Sequence, residues 1–384
     1  MNESKSIHSR FQISYQYDVH FTNRLFDANN PLFREALLTL SDPSAQKKIL
    51  VIIDSGFFDY HPNLKDEIKA YFHRLESRIT LVEEILLVQG GENCKNDISV
   101  YESLIDAVDR FGIDRHSFIM CIGGGALLDL VGYVAATSHR GIRLIRIPTT
   151  VLSQNDSGVG VKNSINFKGK KNFLGTFAPP ALVINDFTFL QTLNDRDWRS
   201  GIAEAIKVAL IKDASFFNWL WEVAPLLSKR DLNVMSTLIE RCAKLHIEHI
   251  SSGDPFESGS SRPLDFGHWS AHKLEYLTNF EMRHGEAVAI GIAIDTVYSN
   301  KVGMLSMESM SSILNLLLSL GFQVYHDSLS LDSYSHLEMA LNEFREHLGG
   351  RLTIMLLKEI GVAIEIHKMN RKVLCECVDF LKEF

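Results

Sequence analysis

Five short runs of aliphatic and β-branched residues, separated by helix-length stretches, constrain the first half of this chain more than any other feature. They fall at 48–54, 85–89, 117–122, 143–147 and 181–185. Apolar runs of this length, without alternation, read as strands buried on both faces. Between two of them, 101–110 has the spacing of an amphipathic helix. Strands that alternate with helices predict a mostly parallel sheet covered by helices. From about Asn194 the pattern changes to apolar residues at helical spacing, over 197–208, 234–250, 286–302 and 306–320. Almost nothing there reads as a strand. The expected organisation is α/β, with a mostly parallel-sheet domain over 1–193 and an all-α domain over 194–384.

Bulk properties narrow the function. A net charge of −8 argues against a general nucleic-acid binder and makes any positive pocket a local feature. No apolar run approaches the roughly 20 residues that span a bilayer. The polar start Met1-Asn2-Glu3-Ser4-Lys5-Ser6 lacks the apolar core of a signal peptide, which points to the cytoplasm. Five scattered cysteines, an odd number, suit reduced thiols, and Cys375-Glu376-Cys377 reads as incidental.

The second half carries residues spaced for metal chemistry. His268 and His272 lie four apart and share a helix face. His284 and Glu286 open an apolar helix, and Glu204 stands one turn before Lys207. Two histidine nitrogens and a glutamate oxygen would leave a zinc ion a fourth position for a substrate oxygen. The competing reading is of capping and surface histidines in a chain that has fifteen.

The first half carries two phosphate signals. After the run ending at Ile122 comes Gly123-Gly124-Gly125, then Asp129. Glycines between strand and helix let backbone amides approach a pyrophosphate at a helix N-terminus. A tight turn needing positive φ is the alternative. Asp54 ends an earlier strand where ribose-binding carboxylates lie, or merely caps it. A polar run then passes through Pro148-Thr149-Thr150, Asp156, Lys162-Asn163 and Lys168 to Asn172. Lysines among glycines and amides suit a phosphate monoester, against the plainer reading of a solvated lysine-rich loop. The long loop 251–262 leads straight into the His268 motif, and loops of that length are often functional.

Taken in order, these motifs resemble the 3-dehydroquinate synthase superfamily, the sugar phosphate cyclases, from about residue 50 to 361. The matching segments are Gly123 to Asp129, Arg140-Gly141, Pro148-Thr149-Thr150, Asp156 with Lys162, Lys171-Asn172, Glu204 with Lys207, Gly267-His268 with His272, and His284-Gly285-Glu286. The resemblance implies a Rossmann-like nucleotide-binding domain, an α-helical domain and an active site between them. It further implies bound NAD, a divalent metal (zinc, with cobalt as the alternative) and a homodimer in which Arg140 reaches the partner's site. By that match Glu204, His268 and His284 ligate the metal. Asp54, Glu92, Lys95, Gly124, Gly125, Asp129, Thr149 and Thr150 hold NAD. Asp156, Lys162, Asn172, Lys207 and His272 line the substrate pocket, with Lys162, Asn172 and His272 near the phosphate. The implied chemistry is oxidation, phosphate elimination, re-reduction and an intramolecular aldol closure.

The chain departs from dehydroquinate synthases at positions that handle a carboxylate. His246 stands where they carry a lysine, Asp265 where they carry an asparagine, and Phe344-Arg345-Glu346-His347 where they carry Asp-Lys-Lys. Arg262 is displaced by one residue, and Gly160-Val161-Lys162-Asn163 replaces Gly-Gly-Lys-Thr. Like charges repel at close range, so Asp265 disfavours a substrate carboxylate and suits a hydroxymethyl group. That pattern is similar to the branches using sedoheptulose 7-phosphate, typified by 2-epi-5-epi-valiolone synthase, and the expected substrate is a seven-carbon sugar phosphate. The alternatives are a 3-dehydroquinate synthase acting on 3-deoxy-arabino-heptulosonate 7-phosphate and a metal-dependent alcohol or glycerol dehydrogenase. The second has no use for a phosphate pocket built on Asp156, Lys162, Lys171 and Asn172. A binding-only relative is disfavoured by the presence of all three ligands with Lys162 and Lys207.

Overall fold

A computed structural model describes residues 6–40, 46–75, 79–252, 255–256 and 263–384. Seven parallel strands form one sheet: β1 (Asp18–Thr22), β2 (Lys47–Asp54), β3 (Ile79–Leu81), β4 (Leu86–Val88), β5 (Phe118–Gly123), β6 (Arg143–Pro148) and β9 (Leu182–Asp186). Their order is β1-β9-β6-β5-β2-β3, with β4 also paired to β2. The continuous apolar runs follow from this position. On β2, Ile49, Val51 and Ile53 pack into one core while Leu50 and Ile52 pack into the core on the opposite face. A strand buried on both sides has no polar alternation to show.

The chain winds from β2 outward to β3 and β4, then crosses back to β5 and on to β6 and β9. The winding direction therefore reverses between β2 and β5, and a crevice opens there at the carboxyl ends of the strands. Asp54, Gly123 and Pro148 end β2, β5 and β6 side by side at that edge. An antiparallel hairpin, β7 (Lys162–Phe167) and β8 (Lys170–Phe177), stands off the sheet. It occupies the stretch that the sequence presents as a lysine-rich phosphate loop. A buried arginine in β6 anchors its approach: Arg146 donates to the carbonyls of Gly160 (2.7 Å) and Lys162 (3.0 Å) and to Asn163 Oδ1 (2.6 Å).

Helices dominate from Asp195 onward. Helix α1 (Gly125–Thr137) lies on the sheet; α2 (Asp195–Lys212), α3 (Leu232–Ser251), α4 (His268–Leu277) and α5 (His284–Lys301) belong to the helical half. That half is not purely helical, since β10 (Ile354–Glu359) and β11 (Val362–Ile366) form a small antiparallel hairpin. Helix α2 is buried continuously from Ser200 to Ile211, and α5 from Ala287 to Ser299. Helices buried on every side lie at the centre of a bundle, and α2 carries Glu204 and Lys207 into that interior. Their approach is set by glycine. A Cβ on Gly285 would lie 1.9 Å from the Ser200 carbonyl oxygen, and one on Gly291 1.9 Å from that of Gly267. Backbone touches backbone at both points. No described helix is long and apolar enough to cross a membrane, and all five cysteines are free.

Candidate active site

The two glycine contacts fall next to the ligand candidates that the resemblance implies. Gly285 follows His284 and meets Ser200, one turn before Glu204, while Gly291 meets Gly267, which precedes His268. Glu204, His268 and His284 consequently converge, each offering a ligand atom within 4.8 Å of the others. His268 Nε2 and His284 Nε2 stand 3.5 and 3.4 Å from Glu204 Oε1. The tautomers follow from what lies behind the rings. His268 Nδ1 meets the Phe266 carbonyl at 3.2 Å and His284 Nδ1 meets a Glu275 oxygen at 3.1 Å. Both partners only accept, so each Nδ1 carries a hydrogen and Nε2 is the atom left to face Glu204 and a metal. With no ion between them, burial opposes the His284 charge, but Glu275 and Glu204 on either side raise its pKa to about 9.

Glu204 shows that the trio fits a cation. It is 1% exposed, and neither oxygen completes a hydrogen bond of good direction. Lys207, one turn on, puts its ammonium 2.5 Å from Oε2. Burial opposes ionisation of Glu204, yet Lys207 and His268 hold its carboxyl well below the ordinary range. A buried carboxylate with one oxygen on an ammonium and the other facing two imidazole nitrogens is, with those nitrogens, a donor set for zinc or a similar divalent ion. His272 stands outside the trio, its ring centroid 5.6 Å from that of His268. Burial, followed by Lys171 and His268, depresses His272 far below the usual histidine value, so it is a neutral hydrogen-bonding group.

Asp156 sits beside this centre in a single turn of π-helix, Ser153–Ser157, a distortion common at functional sites. Asn155 fastens the turn to α2 by donating to the Gly201 carbonyl at 2.7 Å. His246 of α3 reaches Asp156 Oδ1 at 3.0 Å. Burial raises the Asp156 carboxyl, but Lys207 and His246 bring it below its ordinary value. Burial likewise opposes the Lys207 charge, while Glu204, Asp156 and, more weakly, Asp265 keep it protonated.

The cofactor candidates form a second group at the crevice. Gly124 caps α1 in extended backbone at φ −74° and contributes no capping side chain, leaving the first-turn amides open. Positive φ is thus not the reason for these glycines: a Cβ on Gly125 would lie 2.5 Å from Ser157 Oγ. Asp54 caps the short helix after β2 through Gly56 and Phe57, the plainer of its two sequence readings. It remains at the crevice edge, packed on Gly90. Thr149 is buried and Thr150 bonds Ser153. Lys95 is buried, with Asp129 at 2.9 Å and Glu92 at 3.8 Å. Asn172, expected near a phosphate, gives its Oδ1 to Lys95 (2.5 Å) and Ser164 (2.9 Å) and so belongs to this second group. Lys162 opens β7 and Arg140 follows α1, both exposed. Arg262 and the His347 side chain lie outside the described residues.

Sequence reasoning missed three supports: Arg146, Glu275 and Asp295. Glu275 had a signal, since 268, 272 and 275 are spaced i, i+4, i+7 on one helix face. Asp295 of α5 is wholly buried and accepts from Gly267 N (2.9 Å) and Trp269 Nε1 (2.8 Å), fixing both neighbours of His268. Burial pushes its carboxyl up to about 7. A carboxyl raised above its unfolded value of roughly 3.9 contributes stability at low pH that is lost as pH climbs to the folded value. The stability of wild type minus that of Asp295→Asn should therefore decline from pH 5 to pH 8 in chemical denaturation. A flat difference would contradict the buried titration.

The family model described as 3-dehydroquinate synthase N-terminal matches residues 85–200, and that described as 3-dehydroquinate synthase C-terminal matches 201–343. A 3-dehydroquinate synthase from Nitrosospira multiformis is 36% identical over 74% of this chain and 76% of its own length. The chain belongs to the 3-dehydroquinate synthase family. Within that family it is also similar to 2-epi-5-epi-valiolone synthase from Streptomyces hygroscopicus subsp. jinggangensis, 30% identical over 93% of this chain and 84% of that one. The solved structure of ValA, a 2-epi-5-epi-valiolone synthase from the same subspecies with NAD+ and Zn2+ bound, superposes with a TM-score of 0.86. It is 28% identical, with 98% of this chain and 99% of that one covered. The Rossmann-like sheet followed by a helical half is therefore the architecture of this family of sugar phosphate cyclases.

Proposed function

We propose that the chain is an NAD- and divalent-metal-dependent cyclase that converts sedoheptulose 7-phosphate into a C7 cyclitol such as 2-epi-5-epi-valiolone, with zinc as the metal. One observation carries the substrate reading: His246, at the position of the family's lysine, is engaged with Asp156 at 3.0 Å. No lysine ammonium stands there for a substrate carboxylate, and Asp265 adds negative charge near Lys207. A hydroxymethyl group can donate to Asp265, whereas a carboxylate meets repulsion.

When bound, the metal at Glu204, His268 and His284 would polarise substrate hydroxyls, and NAD in the β2–β5 crevice would take a hydride and return it. Lys207 offsets part of the joint negative charge of Glu204 and Asp156, and Asp156 with His246 orients a substrate hydroxyl. Neutral His272 with Lys162 holds the phosphate end, and Asn172 aligns Lys95 and so the cofactor pocket. Arg140, exposed at the end of its turn, reaches the partner's site in a homodimer. Positioning and fixed charge supply most of the rate, and phosphate leaves without net redox change.

Offering sedoheptulose 7-phosphate with NAD and Zn2+ should release phosphate and give a ring product by mass, while NADH absorbance stays flat. The 36% identity to dehydroquinate synthases supports a second reading, with the heptulosonate as substrate. Turnover of the heptulosonate alone establishes that reading, and stoichiometric NADH without phosphate release establishes a dehydrogenase.

A further inference from the structure

Behind the metal candidates lies a chain of charge that joins the two halves of the molecule. Glu275 of α4 is buried and divides its oxygens: Oε2 accepts from His284 Nδ1 at 3.1 Å, and Oε1 accepts from Lys171 Nζ at 2.7 Å. Burial alone would raise the Glu275 carboxyl, but Lys171 and His284 hold it well below its ordinary value. Lys171 comes from β8, on the hairpin of the sheet-bearing half, 104 residues away in sequence. The next residue of β8, Asn172, holds Lys95 in the cofactor group. Asn172 stands at φ 54° where the β7–β8 register shifts, so the strand is irregular here, and two adjacent residues address the back of the metal centre and the cofactor crevice.

We infer that Glu275 is a positioning residue for the metal ligand His284, and that Lys171 locks it from the other half, so that the metal centre is fully set only with the β7–β8 hairpin docked on α4. A carboxylate accepting from the far nitrogen of a ligating histidine fixes the ring and its tautomer. Glu275 does this for His284, whose own backbone supplies no such anchor at the start of α5. Removing the Lys171 charge would leave a buried carboxylate with one partner in place of two, which favours rearrangement of the pair. The inference rests on the reading of Glu204, His268 and His284 as a metal centre.

The test is metal affinity, read without turnover. Metal-free protein is titrated with Zn2+ against a competing chelator, and Co2+ is added separately to record its visible absorption bands. Glu275→Gln should weaken Zn2+ binding by about 10- to 100-fold and shift the Co2+ bands. Lys171→Met should weaken binding less, by about 2- to 30-fold, with Lys171→Arg restoring most of it. Lys170→Met, one residue away on exposed β8, should match wild type. Should Glu275→Gln fail to fold, the Lys171 pair carries the test alone. Zn2+ affinity and Co2+ bands unchanged in Glu275→Gln and Lys171→Met, with wild type loaded, overturn the inference. A wild-type chain that takes up no divalent metal overturns the metal-centre reading itself.

Discussion

His268→Ala and His284→Ala should each emerge from purification without metal and with turnover reduced by roughly 10³-fold or more. Each removes one of three donors that converge within 4.8 Å, and two remaining donors do not make a competent zinc site. A metal that polarises a substrate oxygen lowers the barrier by several kcal/mol, at about 1.4 kcal/mol per decade. His272→Ala is the internal control. Its ring centroid is 5.6 Å from that of His268, against 5.3 Å for His284, yet it stands outside the converging trio, so it should keep its metal and lose rate through the phosphate. Elemental analysis of the three proteins decides the assignment. An empty His272→Ala beside a loaded His284→Ala reverses it.

Lys207→Met should cost stability before it costs anything else. Lys207 is 3% exposed and 2.5 Å from Glu204, with Asp156 also acting on it. Breaking a buried pair by deleting one partner leaves an uncompensated charge, at about 3–5 kcal/mol. Denaturant unfolding of metal-free Lys207→Met should show a loss of that size. Saturating Zn2+ should recover part of it, because the ion restores positive charge next to Glu204 and binds only the folded chain. Unfolding of the metal-free variant at the wild-type midpoint would mean that Glu204 is protonated there.

What the sequence disclosed follows the physics of burial. The runs on β2, β5, β6 and β9 were legible because both faces of each strand are covered. The β7–β8 hairpin was not, because it stands off the sheet and its strands carry lysines and asparagines in place of a continuous apolar run. The residues 354–366 hide a second hairpin for another reason. It is short, turns on Gly361 at φ 88°, and follows a long series of helices that set the expectation. In the site, helix geometry ties 268 to 272 and 204 to 207, but spacing alone did not separate the candidate ligands from their neighbours: the choice of Glu204, His268 and His284 came from the family resemblance, and the fold brings those three together. Their supports were not readable. Lys171 meets Glu275 across 104 residues, and Asp295 meets Gly267 across 28, distances over which periodicity says nothing. His246 illustrates the limit well: sequence showed that a lysine was missing, and only the fold showed that its replacement is held by Asp156.

The contacts of Gly285 on Ser200 and of Gly291 on Gly267 have a consequence for how such a protein diversifies. Where main chain rests on main chain, no side-chain exchange can widen or narrow the gap, so the three donor-bearing segments keep their mutual distances through almost any remodelling of the surroundings. The side chains proposed to meet the far end of the substrate, His246 and Asp265, are held by side-chain contacts alone, such as that of His246 on Asp156, and can be exchanged singly. A pocket with a rigid floor and replaceable walls can take a new substrate while leaving its reaction untouched. For directed evolution, libraries at 246 and 265 should therefore be rich in folded, metal-loaded proteins, and libraries at 267, 285 or 291 nearly barren.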